Sequence, residues 1–225
     1  MEMRTIGIDG LFNARATSAS APWLIRTGAP DALSADGVST LRALGVSVII
    51  DLREPSEVSV AEHGIPVRSV GIYGAEPPQT GRLEDVYEAL LRERGAALAV
   101  AVGLVADAEG AALVHCTAGK DRTGLVVALA RLAAGDSAEQ VVEDYVLSEP
   151  DVRPVRERHA LAVAGALPAA EREETLRLHL ASPREAIEHA LAVIDGLGGA
   201  AAYLTGNGLS DPQLRELRRK RQAAT

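Results

Sequence analysis

The sequence predicts an α/β fold with a largely parallel central sheet, and two observations support this prediction. Candidate strands alternate with helical segments up to residue 134, the pattern of parallel strands that are connected by helices. From residue 135 onwards, the hydrophobic pattern indicates helices alone. The chain of 225 residues, with 47% hydrophobic and 24% charged residues, has the composition of a globular protein and the length of one domain.

The first half of the chain contains the candidate strands. We expect strands at residues 23–26, 46–52, 65–72 and 111–114, and the second is apolar and β-branched enough to be buried on both faces. Ser34 is placed to cap a helix that ends at Leu44, where Gly45 can terminate it in a left-handed conformation. A helical stretch over residues 82–107 is expected to break near Gly95, and an apolar helix is expected at residues 125–134.

The second half contains helix-start signals at regular intervals. Ser137, Ser182 and Ser210 are each followed three residues later by Gln or Glu, which is the spacing of a capping box. Pro183 then falls at a first helical position, where proline is tolerated. Two further helices are expected at residues 152–165 and 169–180.

Composition excludes several classes of protein. Lys and Arg number 23 against 31 Asp and Glu, a net charge of −8, and aromatic residues make up only 3%, so nucleic-acid binding is not expected. A single cysteine, Cys116, excludes an intrachain disulfide and a thiolate-rich zinc site. The longest apolar stretch, residues 96–106, is too short to cross a bilayer, and no secretion signal is visible. We therefore expect a cytoplasmic protein without an integral membrane segment.

The segment HCTAGKDRTG, residues 115–124, carries the chemistry. A strand ends, a short loop follows and a helix begins, so the loop amides and the helix N-terminus are expected to bind an anion. The expected phosphate-binding residues are Thr117, Ala118, Gly119, Lys120, Asp121 and Arg122. Gly119 allows a positive φ and a close approach to the ligand, and Arg122 offers a planar fork that can bind two phosphate oxygens.

Cys116 lies in this electropositive loop, which favours its thiolate form. The thiolate is expected to attack phosphorus and form a phosphocysteine, with Arg122 and the loop amides stabilising the charge on the equatorial oxygens. Thr123 can donate a hydrogen bond to the sulfur as it leaves, and His115 is expected to order the loop. No metal or cofactor is needed for this chemistry. The alternative for Cys116 is a small buried apolar residue.

These residues match the His-Cys-x5-Arg-Ser/Thr signature of the protein tyrosine phosphatase superfamily, and the Gly-Lys-Asp-Arg-Thr-Gly version resembles bacterial tyrosine phosphatases with lipid-phosphatase character. Further segments resemble that branch over nearly the whole chain: Asn13-Ala14-Arg15, LIRTGAPDALS, VIIDLREPSEV and the helical C-terminus. The chain departs from the branch after Arg15, where Asp-x-Gly-Gly is usual and Ala16, Thr17, Ser18 and Ala19 stand instead.

The resemblance implies a three-layer phosphatase domain over residues 1–225, with a sheet of four or five strands. It suggests Asp121 as general acid and Lys120 as a contact to anionic substrates. Asp51, at the end of an apolar strand, competes for the acid's role, and its alternative is an ion pair with Arg53 or Arg26. Arg53 and Arg26 are thus expected to support the site.

The expected function is a metal-independent phosphatase, of dual specificity, with phosphotyrosine or phosphoinositide-like substrates. The partner would be a phosphoprotein, a phospholipid headgroup or a small phosphometabolite, and the altered segment after Arg15 leaves room for the last. The rivals are a non-catalytic phosphate-binding module and a sulfurtransferase, although the Cys-x5-Arg spacing fits phosphate better than sulfur transfer.

Residues 150–181 are either a helical hairpin packed permanently on the domain or a lid over Cys116, and the resemblance favours the lid. The remaining histidines, which include His159 and His179, show no ligand spacing and are expected at the surface.

Overall fold

The computed structural model describes residues 2–58 and 63–224. The described residues form a six-stranded sheet with the order β1-β2-β3-β6-β4-β5. The strands are β1 (Arg4–Thr5), β2 (Arg15–Ala16), β3 (Leu24–Thr27), β4 (Val46–Asp51), β5 (Val67–Ser69) and β6 (Ala111–His115). Strands β3, β6, β4 and β5 are parallel, whereas β1 and β2 add an antiparallel edge. The predicted α/β class with a mostly parallel sheet is confirmed.

Helices follow the strands and fill the C-terminal half. They are α1 (Ala35–Ala43), α2 (Leu83–Glu93), α3 (Gly95–Asp107), α4 (Asp121–Ala134), α5 (Ala138–Val146), α6 (Ser148–Gly165), α7 (Ala169–Leu180), α8 (Arg184–Gly196), α9 (Gly199–Gly206) and α10 (Asp211–Ala223). A 3-10 helix covers Pro55–Glu57. In the described part of the chain, none of these helices has the length and apolar character needed to cross a membrane.

The sheet has an apolar core on each face because successive side chains of a strand point in opposite directions. Ile25, Ile49 and Leu113 pack on the face covered by α1, with Leu41 among them. Their neighbours along the same strands, Leu24, Ile50 and Val114, pack on the opposite face with α3 and α4. All of these side chains are fully buried, and each contributes about 1.5–3 kcal/mol of transfer free energy. The central strands are therefore fixed from both sides.

Four details differ from the sequence-based expectations. The sheet gains two short edge strands, which two-residue segments give no pattern to predict. The strand expected at residues 65–72 is regular only over Val67–Ser69. Helices α4 and α6 begin at Asp121 and Ser148, each four residues before the expected starts at Leu125 and Val152. Ser182 does not cap α8; its hydroxyl accepts a hydrogen bond from the Glu149 amide and donates to the Val146 carbonyl, and Pro183 takes the N-cap position.

Candidate active site

The segment of residues 115–124 lies at the carboxyl end of β6, a central strand with β3 and β4 on either side. We call residues 115–122 the Cys116 loop. Cys116 is 2% exposed and lines a cavity of about 350 Å³, as do Thr117, Ala118, Asp121 and Arg122. This is the position where open α/β sheets bind ligands, because loops diverge at the carboxyl ends of the strands.

The loop is held in shape by hydrogen bonds to its carbonyls. Gly119 has a φ of 68°, and a Cβ at this position would stand 2.2 Å from the Thr27 carbonyl oxygen. The side-chain amide of Asn13 donates to the carbonyls of Ala118 (3.0 Å) and Gly119 (3.1 Å), and Arg26 Nη2 donates to the Gly119 carbonyl at 2.7 Å. In a planar trans peptide the amide points away from the carbonyl. Since these two carbonyls are bound by Asn13 and Arg26, the amides of the same peptides are directed to the opposite side of the loop. Gly119 thus has the positive φ that the sequence analysis expected.

Glu57 joins the two ends of the loop, a role that the sequence did not predict. Its carboxylate receives both terminal nitrogens of Arg122, with Nη2 at 2.8 Å from Oε1, and the Thr117 hydroxyl donates to it at 2.6 Å. Burial alone would raise the pKa of Glu57, but the bonds from Arg122 and Thr117 outweigh it and lower the pKa to about 2. Arg122 also lies over the ring of Tyr73, 4.8 Å from its centroid. The guanidinium is therefore fixed at the cavity wall.

Asp121 is bound by a buried phenol. Tyr87 of α2 donates its hydroxyl proton to Asp121 Oδ1 at 2.6 Å, and the Tyr145 hydroxyl of α5 lies 2.6 Å from that of Tyr87. Asp121 itself lines the cavity. The structure therefore brings together Cys116, Arg122 and Asp121, the first three of the expected catalytic residues.

Lys120 takes a different position from the one expected. Its ammonium donates to the carbonyls of Leu178 and Ala181, each at 2.7 Å, and lies 3.4 Å from Asp121 Oδ1. The side chain is fully buried, and this burial lowers the pKa of Lys120 although Asp121 opposes the shift. The ammonium thus ties the Cys116 loop to the end of α7 and is not directed at the cavity.

Asp51 lies behind the loop in an ion pair with Arg53. Arg53 donates to both carboxyl oxygens, with Nη2 at 2.9 Å from Oδ2, and its backbone amide donates to Oδ1. Burial alone would raise the pKa of Asp51, but Arg53 and His115 lower it below its usual value. Arg53 also binds Asp31 and reaches the cavity. The alternative considered for Asp51, an ion pair with Arg53, is the arrangement observed.

His115 and Thr123 flank this core of the site. His115 Nδ1 lies 3.2 Å from the Cys116 carbonyl and Nε2 lies 3.8 Å from Asp51, so the ring bridges the loop and the ion pair. Burial lowers the pKa of His115 although Asp51 opposes the shift. Thr123 is fully buried, and its hydroxyl has no hydrogen-bond partner among the described residues, so the expected bond to the sulfur is not observed.

Arg26 supports the loop through a buried cluster of charges. It binds Gly119 on one side and Asp144 on the other, with Nη1 2.6 Å from Oδ2. Arg15 binds the second oxygen of Asp144 at 2.6 Å and the side chain of Asn13 at 2.5 Å. Although the residues after Arg15 depart from the family pattern, the structure thus places Arg15 behind the loop.

Helices α6 and α7 supply one wall of the cavity. Arg156 and His159 come from α6, and Leu178 and His179 come from α7. The two histidine rings meet edge to face at 5.5 Å between centroids. His159 is exposed, as expected, but both histidines line the cavity, which the sequence did not predict.

Sequence reasoning thus missed Glu57, Tyr73, Tyr87 and Arg156. Glu57 ends the quoted segment VIIDLREPSEV, so the resemblance contained a signal for it. The other three stand in segments with no motif, and only the fold brings them to the Cys116 loop. In the described part of the chain, no three His, Cys, Asp or Glu residues are grouped so that they could hold a metal ion.

Comparison with known proteins agrees with the site. Residues 9–221 match the profile of the tyrosine phosphatase family. A tyrosine-protein phosphatase of Nostoc commune is 27% identical over an alignment of 227 positions, which covers 91% of this chain and 76% of the relative. The triple specificity protein phosphatase PtpB of Mycobacterium tuberculosis is 50% identical over 46 residues, 20% of this chain and 17% of the relative.

A third relative and a solved structure add to the comparison. A putative tyrosine-protein phosphatase of Cupriavidus necator is 29% identical over 161 residues, 63% of this chain and 58% of the relative. The crystal structure of P. aeruginosa TpbA aligns with a TM-score of 0.40 at 18% identity, over 78% of this chain and 94% of that one. From the profile match over residues 9–221, the chain belongs to the tyrosine phosphatase family and is a cysteine-dependent phosphatase that acts on a phosphorylated substrate.

Proposed function

We propose that the chain hydrolyses phosphomonoesters through a phosphocysteine intermediate on Cys116. The observation that carries this proposal is that Cys116 and Arg122 line one cavity, with the guanidinium fixed by Glu57. The Cys116 sulfur attacks phosphorus, the S–P bond forms and the bond to the leaving oxygen breaks. Arg122 and the amides of the loop stabilise the charge on the equatorial oxygens throughout.

Asp121 is the proposed general acid. It lines the cavity. Both oxygens of Asp51, in contrast, are bound to Arg53 and the pKa of Asp51 is lowered, so this carboxyl stays ionised and has no proton to give to a leaving group. Asp121 gives its proton to the leaving oxygen. In the second step it takes a proton from water as the water oxygen attacks phosphorus and the S–P bond breaks. The loop residues from Thr117 to Arg122 form the proposed phosphate cradle. The Lys120 ammonium, which is bound to the carbonyls of Leu178 and Ala181, holds this cradle against the end of α7.

The proposed substrates are phosphotyrosine or phosphoinositide-like esters. The names of the relatives, a tyrosine-protein phosphatase and a triple specificity phosphatase, support this range. Arg156 adds a cation to the cavity wall. A substrate with a second anionic group would meet this guanidinium. A small phosphometabolite remains the alternative substrate.

Residues 150–181 of the single domain, which comprise most of α6 and all of α7, are the proposed lid. Their contribution of Arg156 and Leu178 to the cavity wall supports this assignment. Their attachments to the rest of the molecule include the buried apolar side chain of Leu178 and polar contacts, such as the pair of Arg177 with Glu84, whose Nη1 and Oε2 lie 3.0 Å apart. Polar attachments of this kind can exchange with water at small net cost, which suits a segment that opens.

The proposal is tested by assaying phosphotyrosine peptides, phosphoinositides and nucleotides with the wild type and Cys116→Ser. The serine variant should lose nearly all turnover and still bind a phosphate analogue, because an alcohol is not ionised by the loop whereas the cradle remains. More than a few per cent of residual activity would contradict the covalent mechanism. The preferred substrate among the three classes would decide between the main proposal and the metabolite alternative.

A further inference from the structure

Two buried tyrosines extend a series of hydrogen bonds from Asp121 into the protein interior. Tyr87 and Tyr145 are at most 1% exposed, and their rings meet edge to face with centroids 6.2 Å apart. Asp121 lines the cavity, and the two phenols lie behind it. Burial and the neighbouring Asp121 raise the pKa of both hydroxyls well above the usual value, so both stay protonated. The donor and the acceptor of each hydrogen bond among Tyr145, Tyr87 and Asp121 can therefore be assigned.

The direction follows from counting protons. A phenol has one proton to donate, and Tyr87 donates it to Asp121 Oδ1 at 2.6 Å. The bond between the two phenols, 2.6 Å long, must then be donated by Tyr145. An ammonium has three protons, and Lys120 places two on the carbonyls of Leu178 and Ala181. Its third can face Asp121 Oδ1, which lies 3.4 Å away.

The two oxygens of Asp121 are therefore not equivalent. Oδ1 accepts a hydrogen bond from Tyr87 and lies 3.4 Å from the Lys120 ammonium, and among the described residues no hydrogen bond to Oδ2 is found. We propose that Tyr87 is a positioning residue for catalysis, which together with Lys120 holds Oδ1 so that Oδ2 carries the proton that is transferred. This inference rests on the proposed role of Asp121 as general acid.

The arrangement serves both steps of the reaction. When the proton leaves Oδ2 for the leaving oxygen, negative charge develops on the carboxylate, and the donors at Oδ1 stabilise it. When water attacks the phosphocysteine, its proton returns to Oδ2 without any change in the bonds at Oδ1. Because the donors are buried and already aligned, they need no reorganisation during either step.

The test is the substitution Tyr87→Phe, which removes one hydroxyl and keeps the ring. The rate is measured as kcat/KM, which reports the first chemical step, on aryl phosphates whose leaving groups range from activated to poor. For the poorest leaving group we expect a loss of about tenfold, the size of a hydrogen bond to a charged group. Activated esters leave without a proton and should stay within about twofold of wild type. The dependence of rate on leaving-group pKa should therefore become steeper.

Tyr203→Phe is the matched control. Tyr203 is also buried, and its hydroxyl donates to the Leu91 carbonyl at 2.7 Å, outside the residues that line the cavity. It should leave the leaving-group dependence unchanged. A uniform loss over all substrates in Tyr87→Phe would indicate a structural role only and would overturn the inference.

Asp121→Asn separates this inference from the proposal on which it rests. It should steepen the leaving-group dependence, and adding Tyr87→Phe to it should have no further effect, since the two act through one proton. If Asp121→Asn steepens the dependence and Tyr87→Phe does not, the inference on Tyr87 is wrong and the acid role stands. If Asp121→Asn leaves the dependence unchanged, the acid role itself is wrong, and the inference falls with it.

Discussion

At the scale of single residues, Glu57 explains how the Cys116 loop keeps its arginine in place. The carboxylate binds Arg122 and Thr117 together, so the two ends of the loop share one anchor. Its lowered pKa of about 2 means that the pair persists at any pH near neutrality. Because an ammonium has no planar fork, a lysine at position 122 could not form this bidentate pair with Glu57.

Gly119 gives the first residue-scale prediction. Gly119→Ala should weaken the binding of a phosphate analogue by at least tenfold, because a Cβ would stand 2.2 Å from the Thr27 carbonyl and a φ of 68° disfavours alanine. The measurement is titration calorimetry with orthovanadate. Gly206→Ala is the control, because a Cβ added to this helical glycine would meet no heavy atom within 4 Å outside its own helix backbone. Equal affinities of wild type and Gly119→Ala would show that the loop tolerates a side chain there.

At the scale of elements, the sequence predicted what local patterns encode. Helix α1 with its Ser34 cap, the break between α2 and α3 beside Gly95, and the capping boxes of α5 and α10 were all predicted and are confirmed. Ser182 was predicted wrongly because its hydroxyl has a tertiary partner, the Glu149 amide, which no local spacing reveals. The edge strands depend on pairing along the sheet, β1 with β2 and β2 with β3, so they too have no local signal.

The hairpin of α6 and α7 carries the element-scale prediction. Hydrogen exchange in the free protein should be faster in α7 than in α4, because nearly all residues of α4 are buried, whereas α7 buries only Thr175, Leu178 and Leu180. Orthovanadate should slow exchange in α6 and α7. Helix α8, which packs on α2 and α5, serves as the internal control and should not respond. Equal protection of α4 and α7, insensitive to the ligand, would leave only a packed hairpin.

At the scale of the whole molecule, the site is assembled from distant parts of the chain. The loop motif predicted Cys116, Arg122 and Gly119 because these residues are contiguous. Glu57, Tyr87 and Arg156 come from the 3-10 helix, α2 and α6, and only the packing of these elements brings them to the loop. The direction of Lys120 likewise depends on where α7 ends. The contiguous residues of the site were thus predictable from the sequence, whereas of the supporting residues elsewhere in the fold only a part, such as Arg26 and Arg53, was expected.

Asp144 links the loop to the rest of the molecule and carries the last prediction. It is 4% exposed and binds Arg15 and Arg26 at 2.6 Å each, with Arg131 at 3.9 Å. Burial alone would raise the pKa of Asp144, but Arg26, Arg15 and Arg131 outweigh it and lower the pKa to about 2. Asp144→Asn would leave buried arginines without their counter-charge, and we expect it to lower the free energy of unfolding by about 3–5 kcal/mol at neutral pH.

The dependence on pH distinguishes this charge effect from a packing defect. Because the folded pKa of Asp144 lies below its usual value of 3.8, its stabilisation is fully present above that value and is lost as pH falls towards 2. We therefore expect the difference in free energy of unfolding between wild type and Asp144→Asn to decrease by about 2 kcal/mol from pH 7 to pH 2. Urea unfolding at a series of pH values measures this difference. The control is Glu139→Gln, which breaks an exposed pair with Arg184 and should change stability by less than about 1 kcal/mol. If the difference in free energy of unfolding between wild type and Asp144→Asn stays constant over this range, Asp144 acts through its shape and not through its charge.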